Sequence, residues 1–373
     1  MKILVFSNIT GGIWSFRKEL LEALLLRGNQ VFIGAAKTKN TDLLSDMGCE
    51  LYNIPVDRRG TNPVKDIKLF IKYLKLLKRL KPDVVLTYTI KPNVYGGLAC
   101  AFLKIPYISN VTGLGSSIGN KGMMCKITSM LYKIGLRKAD TVFFQNKANQ
   151  EYFQKYKLVR GYNELIPGSG VNLKQHCFEE YPEEGDKIGF LFIGRVMKDK
   201  GIDELIECTM RIKEKYPNIK FSLIGGYDEK EYKDKLDTLE KQGVLKYLGY
   251  QNNVHPFIKN HHATILPSYH EGLANVLLET AACGRPVIAS NIPGCKETFD
   301  EGLSGFGFEA RNADDLFRTV ERFIELPYEK KKQMGIHGRK KVEEEFSRDI
   351  IVQAYLKAID KIVIKEKKVN GIV

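Results

Sequence analysis

The sequence predicts an α/β protein of two Rossmann-like domains, each a parallel sheet covered on both faces. Three observations carry that prediction. At 373 residues the chain exceeds what one hydrophobic core usually fills. Short β-branched runs alternate with longer amphipathic ones from end to end. The strand-like runs are apolar almost throughout, as strands buried on both faces must be.

Taken in order, the first half offers six strands: "KILVFS" from Lys2, "QVFIGA" from Gln30, "ELYNIP" from Glu50, "DVVLTYT" from Asp83, "IPYISNV" from Ile105 and "TVFFQN" from Thr141. Helical patterns lie between most of them, as at Trp14–Arg27, Val64–Leu80 and Lys121–Lys138. The second half repeats the scheme with "IGFLFIG" from Ile188, "IKFSLIG" from Ile219, "VLKYLGY" from Val244, "HATILP" from His262 and "RPVIAS" from Arg285. Proline and glycine cluster between the halves, in "LIPGSGVNLKQHCFEEYPEEGDK". Domains are therefore expected at 1–168 and 169–347. A long amphipathic helix, Arg348–Lys365, closes the pattern.

Composition narrows the class. The chain is 43% hydrophobic and 27% charged, ordinary for a globular protein. Its start has too short an apolar run for a signal peptide and reads as a strand. No run nears the about 18 apolar residues that a membrane span needs. Seven cysteines without a C-x-x-C pair suggest reduced thiols and a cytosolic setting. The net charge of +14 is lopsided: residues 1–168 hold 26 Lys and Arg against 11 Asp and Glu, which leaves 32 against 33 for the rest. The basic half expects an anionic partner, be it nucleic acid, a phosphorylated substrate or a membrane face.

In open α/β sheets ligands bind at the carboxyl ends of strands, so the chemistry should sit on the loops that follow them. After the strand "HATILP", the stretch "PSYHEGLANVLLE" runs into a helix expected to start between Leu273 and Asn275. The unpaired N–H groups and dipole of a helix start suit a phosphate, and Gly272 lets the backbone approach one closely. Glu279, a turn further in, could accept from a vicinal diol such as a ribose, and Glu271 could face a sugar beyond the phosphates. The plainer reading makes one a loop carboxylate and the other solvated. A second loop, "FIGRVMKDKG", sets Arg195 directly after a strand and Lys200 before a helix. Together they could clamp a diphosphate. Both loops belong to the second domain, which is the layout of a nucleoside-diphosphate-sugar site.

These residues resemble the retaining glycosyltransferases of family 4, which have the GT-B fold. The resemblance rests on G-R-x4-K-G at Gly194–Gly201, E-x7-E at Glu271–Glu279, "ACGRPVIAS" beyond it, "LIPGSGVN" at the joint and "VLKYLGY". It spans nearly the whole chain. It implies that Arg195 and Lys200 hold the donor diphosphate, Glu279 the ribose hydroxyls and Glu271 the donor sugar. The backbone of Gly272, Leu273, Ala274 and Asn275 would receive the distal phosphate, and Tyr250 would sit beside the base. Gly11 and Gly12, in a loop after the first strand, would approach the donor phosphate and acceptor. The first domain would bind the acceptor, the second the donor, and the terminal helix, about 348–373, would return to the first.

One departure matters. Many family members place a histidine where this chain has Thr112, and threonine cannot serve as a base near neutral pH. The "TYTIKPNVYGGLA" and "NVTGLG" stretches instead resemble a subgroup that extends polyprenyl-diphosphate-linked sugars for capsule, O-antigen or N-linked glycan assembly, including a galactosamine transferase. Metal is not expected: the chain has no Asp-x-Asp pair, and no cysteine or carboxylate pairing completes a zinc pattern around His255, His261, His262 and His270. "GLGSSIG" at 113–119 puts its third glycine one residue late for a dinucleotide fingerprint.

Basic stripes fit a lipid-linked acceptor. Lys65, Lys68, Lys72, Lys75 and Arg79 share one sector of their helix, with Ile67, Phe70, Tyr73, Leu74 and Leu77 expected to point away. Lys126, Lys133 and Arg137 line up on another helix, with Met123, Ile127, Met130 and Ile134 on a different face. The plainer reading is solvated helix faces. The other is contact with an anionic membrane, here the inner face of the cytoplasmic membrane.

The reading is a metal-independent retaining transferase that uses a nucleotide sugar, with UDP favoured and no nucleic-acid partner. A sugar-nucleotide epimerase of the same fold would need further acid/base groups, and residues 1–168 contain no histidine. A nucleic-acid-binding module would need aromatic strand motifs or a helix-turn-helix, and neither is present.

Overall fold

The computed structural model describes residues 1–57, 60, 62–113, 123–185 and 187–369. Most of the "GLGSSIG" stretch lies outside them. The chain forms two compact units: Met1–Ser169 with Arg348–Val373, and Gly170–Ser347.

In the first unit the strands are β1 (Lys2–Ile9), β2 (Gln30–Ala36), β3 (Glu50–Asn53), β4 (Val84–Tyr88), β5 (Tyr107–Val111), β6 (Thr141–Phe144) and β7 (Tyr162–Leu165). They form one sheet in the order β3-β2-β1-β4-β5-β6-β7, with every pair parallel. The run Ile3–Phe6 is wholly buried, as an apolar strand between two helical layers requires. One face is covered by helices Thr10–Leu26 and Arg348–Val369, whose Leu20, Leu24, Ile351, Tyr355 and Ile359 share a core. Arg348 ties the last helix down through Glu19 Oε2 at 2.7 Å and the Ser15 carbonyl at 3.2 Å. The other face carries Pro63–Leu80, Gly97–Leu103 and Met123–Gly135, which supply Tyr73, Leu77, Cys100 and Tyr132.

The second unit holds β8 (Gly189–Ile193), β9 (Lys220–Ile224), β10 (Lys246–Tyr247), β11 (Ala263–Leu266), β12 (Val287–Ser290) and β13 (Gly305–Phe308). Their order is β10-β9-β8-β11-β12-β13, again parallel. Both sheets reverse direction once, at β1/β4 and at β8/β11, and the loops beyond such a reversal splay apart to leave a crevice.

The sequence pattern misses β7 and β13. The burial of β7 is exposed at both ends, so a polar edge strand gives no apolar run. β13 reads "GFGF", which looks like a turn. Its glycines are steric: a Cβ on Gly305 would stand 2.5 Å from the Val287 carbonyl and one on Gly307 2.2 Å from Asn291 Oδ1. "VLKYLGY" shrinks to two strand residues. Gly11 and Gly12 are not in a loop: β1 runs to Ile9 and the helix begins at Thr10, so both lie in its first turn.

Candidate active site

The loops after β8 and β11 meet at the second unit's reversal point. Gly194 follows β8 and donates to the Ile224 carbonyl at 2.9 Å. Gly225, at φ +156°, comes so close that a Cβ would lie 1.7 Å from the Gly194 carbonyl. This crowding turns the chain outward, and Arg195 emerges half-exposed with Nη1 2.6 Å from Asp228 Oδ2. A short 3-10 turn, Lys198–Lys200, then leads through Gly201 into helix Ile202–Lys215. Gly201 is left-handed at φ +69°, and a Cβ there would sit 2.1 Å from the Pro267 carbonyl. Only glycine allows the β8 and β11 loops to pack so closely. Tyr269 N–H adds a bond to the Asp199 carbonyl at 2.9 Å.

That packing delivers Lys200 to Glu271. Lys200 Nζ pairs with Glu271 Oε1, and both side chains are largely buried, at 19% and 14% exposure. Lys200 and Glu271 are thus one ionic unit. Sequence reasoning gave them separate tasks and did not see the pairing. The same loop is braced by Tyr269, whose hydroxyl donates to Glu204 at 2.6 and 2.8 Å while the Arg311 guanidinium lies 4.5 Å over its ring.

Helix Asn275–Ala282 begins where the sequence expects, with Ala274 as its N-cap and no side-chain cap. Leu273 and Ala274 are buried, and Gly272 and Asn275 half-buried. Ala274 N–H donates to the Gly294 carbonyl at 2.7 Å, so it is committed to the fold rather than to a phosphate. Leu277 and Leu278 N–H return to the Ala274 carbonyl at 3.0 and 3.4 Å; the N–H groups of Asn275 and Val276 precede these bonds. Gly294, at φ +90°, abuts the carbonyls of Glu271 and Gly272. Among the described residues, buried Ser268 Oγ and Asn275 Oδ1 have no hydrogen-bond partner. Such orphaned polar atoms are uncommon in a folded interior. Glu279 stands one turn into the helix, half-buried rather than fully solvated. Tyr250 follows left-handed Gly249 and is 65% exposed. Beside the ion pair, Cys295 is buried; burial first, then the Glu271 carboxylate, pushes its thiol well above the ordinary range. It is inert as a nucleophile.

In the first unit Thr112 follows β5 and is half-buried. Lys68, Lys72, Lys75, Lys126 and Lys133 are all exposed. Ile67 does not point inward: it is 59% exposed, with Val64 and Ile71 at 57% and 42%. The core stripe of that helix is Leu69, Tyr73, Leu76, Leu77 and Leu80, which leaves Ile67 on the outer edge beside the lysines. Ile127, Met130 and Ile134 are likewise exposed on helix Met123–Gly135.

No cysteine or carboxylate completes a zinc pattern around the histidines in the sequence, yet the fold brings such groups to His255. His255 Nε2 lies 2.8 Å from Glu179 Oε1 and 3.7 Å from Cys177 Sγ, and its Nδ1 lies 3.2 Å from Cys283 Sγ. The partners are 76, 78 and 28 residues away in the chain, beyond any spacing a local motif records.

Comparison with known proteins gives a consistent result. Residues 174–341 match the family described as glycosyl transferases group 1, and residues 2–146 match glycosyl transferase 4-like. The chain is 29% identical, over 97% of its length and 99% of the relative's, to the N,N'-diacetylbacillosaminyl-diphospho-undecaprenol alpha-1,3-N-acetylgalactosaminyltransferase of Campylobacter jejuni. It is 24% identical, over 76% of each chain, to the UDP-Gal:alpha-D-GlcNAc-diphosphoundecaprenol alpha-1,3-galactosyltransferase of Escherichia coli. Among solved structures, Anabaena HepE in complex with UDP and glucose superposes with a TM-score of 0.79, covering 97% of this chain and 100% of that one at 18% identity.

Proposed function

The chain belongs to the glycosyl transferases of the group 1 and 4-like families, with a GT-B fold, and on that premise we propose that it moves a sugar from a UDP-sugar, with retention, onto a sugar carried by a polyprenyl diphosphate. The single observation that carries the donor half of this reading is the junction of Arg195, Lys200, Glu271 and the uncapped helix at Asn275 at one reversal point. Arg195 and Lys200 would hold the diphosphate, for which they exchange the carboxylates of Asp228 and Glu271. The N–H groups of Asn275 and Val276 would receive the distal phosphate. Glu279 would hold the ribose, Tyr250 would lie beside the base, and Glu271 would hold the donor sugar.

In the proposed reaction the acceptor hydroxyl oxygen bonds to the anomeric carbon on the face the leaving diphosphate vacates. The bond from that carbon to the phosphate oxygen breaks, and its electron pair goes to the nucleotide. The hydroxyl proton passes to a phosphate oxygen. Arg195 and Lys200 stabilise the charge that develops there, and such fixed cations supply the largest share of catalysis available to the site. The chemistry calls on no metal.

The acceptor half rests on the relatives' names and on the first unit's surface. The three helices on one face of the first sheet carry exposed cationic and apolar side chains: Lys68, Lys72 and Lys75 with Val64, Ile67 and Ile71, then Phe102 at 69% exposure, then Lys126 and Lys133 with Ile127, Met130 and Ile134. A face of that kind suits an anionic lipid surface. The site of action would be the cytoplasmic face of the membrane, in capsule or glycan assembly. A panel of UDP-, GDP- and ADP-sugars, first by thermal shift and then by product mass with a polyprenyl-diphosphate-linked acceptor, tests the reading. A gain of one hexose or N-acetylhexosamine from a UDP donor is expected. Release of free epimerised sugar would favour the epimerase instead.

A further inference from the structure

The second unit holds a cluster that the transfer reaction does not use. Segment 174–181 crosses the unit's surface and is stitched down by two arginines. Buried Arg285 donates to the carbonyls of Glu179 at 2.8 Å, Glu180 at 2.6 Å and Lys259 at 2.7 Å, and Arg339 reaches the His176 carbonyl at 3.1 Å. These backbone anchors set the side chains of Cys177 and Glu179 against His255, at the start of the short helix His255–Lys259.

We propose that Cys177 Sγ, Glu179 Oε1 and His255 Nε2 form a binding site for one zinc ion. The three atoms are 3.6, 3.7 and 2.8 Å apart, for sulfur to carboxylate, sulfur to imidazole and imidazole to carboxylate. Tetrahedral zinc with ordinary bond lengths separates a sulfur from a nitrogen or oxygen ligand by about 3.5 Å, and nitrogen from oxygen by about 3.3 Å. The two sulfur edges already match. The third opens by about half an ångström when an ion replaces the hydrogen bond.

The donor chemistry agrees. Thiolate, imidazole and carboxylate together suit a borderline ion such as zinc rather than magnesium or calcium. Zinc-bound imidazoles are held by a contact on their other nitrogen, and here His255 Nδ1 lies 3.2 Å from Cys283 Sγ. The Glu179 carboxylate also faces a lysine. Lys259 holds Oε2 at 2.8 Å, which leaves Oε1 for the ion. Cys177 is exposed, so solvent reaches the fourth position. Binding would release the Cys177 thiol proton.

Cys283 lies one turn beyond Glu279 on the same helical stretch, but none of the three ligands belongs to the donor loops. The ion would therefore clip segment 174–181 to helix His255–Lys259 and act on stability rather than on transfer. The proposal stands whether or not the donor reading does.

The full-length protein, freed of metal by dialysis against a chelator, is titrated with zinc alone in competition with a chromophoric chelator. Binding of one ion per chain is expected, with a rise in melting temperature on loading. Cys177→Ser and Glu179→Gln, one exposed and one isosteric, should each weaken binding at least tenfold. Cys125→Ser, in the other unit, should leave it unchanged. Cobalt in place of zinc should give a thiolate charge-transfer band that Cys177→Ser abolishes. No stoichiometric binding by the wild type, or equal binding by Cys177→Ser, would overturn the site and leave a hydrogen-bonded His255–Glu179 pair.

Discussion

Lys200 and Glu271, seventy-one residues apart, are joined as an ion pair where the loops after β8 and β11 meet. If Lys200 holds the donor diphosphate as proposed, that anion would displace the Glu271 carboxylate from it. Lys200→Ala and Arg195→Ala should each cost about 2–4 kcal/mol of transition-state stabilisation, on the order of a hundredfold in kcat/KM. Because Lys200 and Glu271 touch, Lys200→Ala and Glu271→Gln should be non-additive by about 0.5–3 kcal/mol. Steady-state kinetics of the singles and the double measure this. Near-wild-type turnover of either alanine variant would remove the diphosphate assignment.

The two glutamates should separate in binding. Glu279→Ala should weaken UDP and the intact UDP-sugar alike, if the ribose is its partner. Glu271→Ala should spare free UDP and impair the intact donor. Calorimetry with both ligands decides, and identical losses in both variants would sink the division of labour.

The exposed cationic and apolar side chains of the first unit make their own prediction. Replacing Lys68, Lys72, Lys75, Lys126 and Lys133 by Gln removes about 1 kcal/mol of attraction each, screened by salt. Sedimentation with phosphatidylglycerol vesicles should fall, and turnover of a membrane-embedded acceptor should slow. Activity on a short-chain soluble acceptor should persist. Ile67→Ser with Met130→Ser should weaken vesicle binding without altering its salt dependence. Undiminished vesicle binding in the lysine variant would return these helices to ordinary solvated faces.

Stability should depend on His262. Its Nδ1 accepts from the Gly189 N–H at 3.1 Å, which requires a neutral ring. Burial first, then Lys331, lowers its pKa to about 4. Between that value and the ordinary 6.5 the unfolded chain binds a proton that the folded chain refuses. Stability is therefore complete above about pH 6.5 and is lost as the pH falls toward 4, by on the order of 2–3 kcal/mol. Thermal unfolding across that window should show the slope, and His262→Gln should flatten it. An unchanged slope in the variant would assign it to other groups.

Much of this protein was legible in its sequence, for reasons that particular residues make plain. Strands such as Ile3–Phe6 declare themselves because both faces are buried. Arg195 and Lys200 are visible because a strand, a glycine and a helix start bracket them within eight residues. What escaped was relational. Gly11 and Gly12 read as a loop, since glycine disfavours helix interiors and nothing local reveals that they occupy a first turn. Ile67 lies at the margin of its helix's apolar stripe, where spacing alone does not say which side is covered. The pairing of Lys200 with Glu271 depends on the close backbone passage at Gly201, and that of His255 with Cys177 and Glu179 on the Arg285 guanidinium's bonds to distant carbonyls, and these belong to the tertiary structure.

The last helix, Arg348–Val369, has a consequence for how the protein is made. It supplies Ile351, Tyr355 and Ile359 to the core of the first unit, yet every strand of both sheets precedes it in the chain. During synthesis the second unit is therefore fully translated while the first still lacks part of one covering layer. The leading half, though translated earliest, is the later of the two to complete its core. Until then the surface under Tyr355 is open to chaperones and to aggregation. A chain ending at Ser347 would keep that surface permanently uncovered.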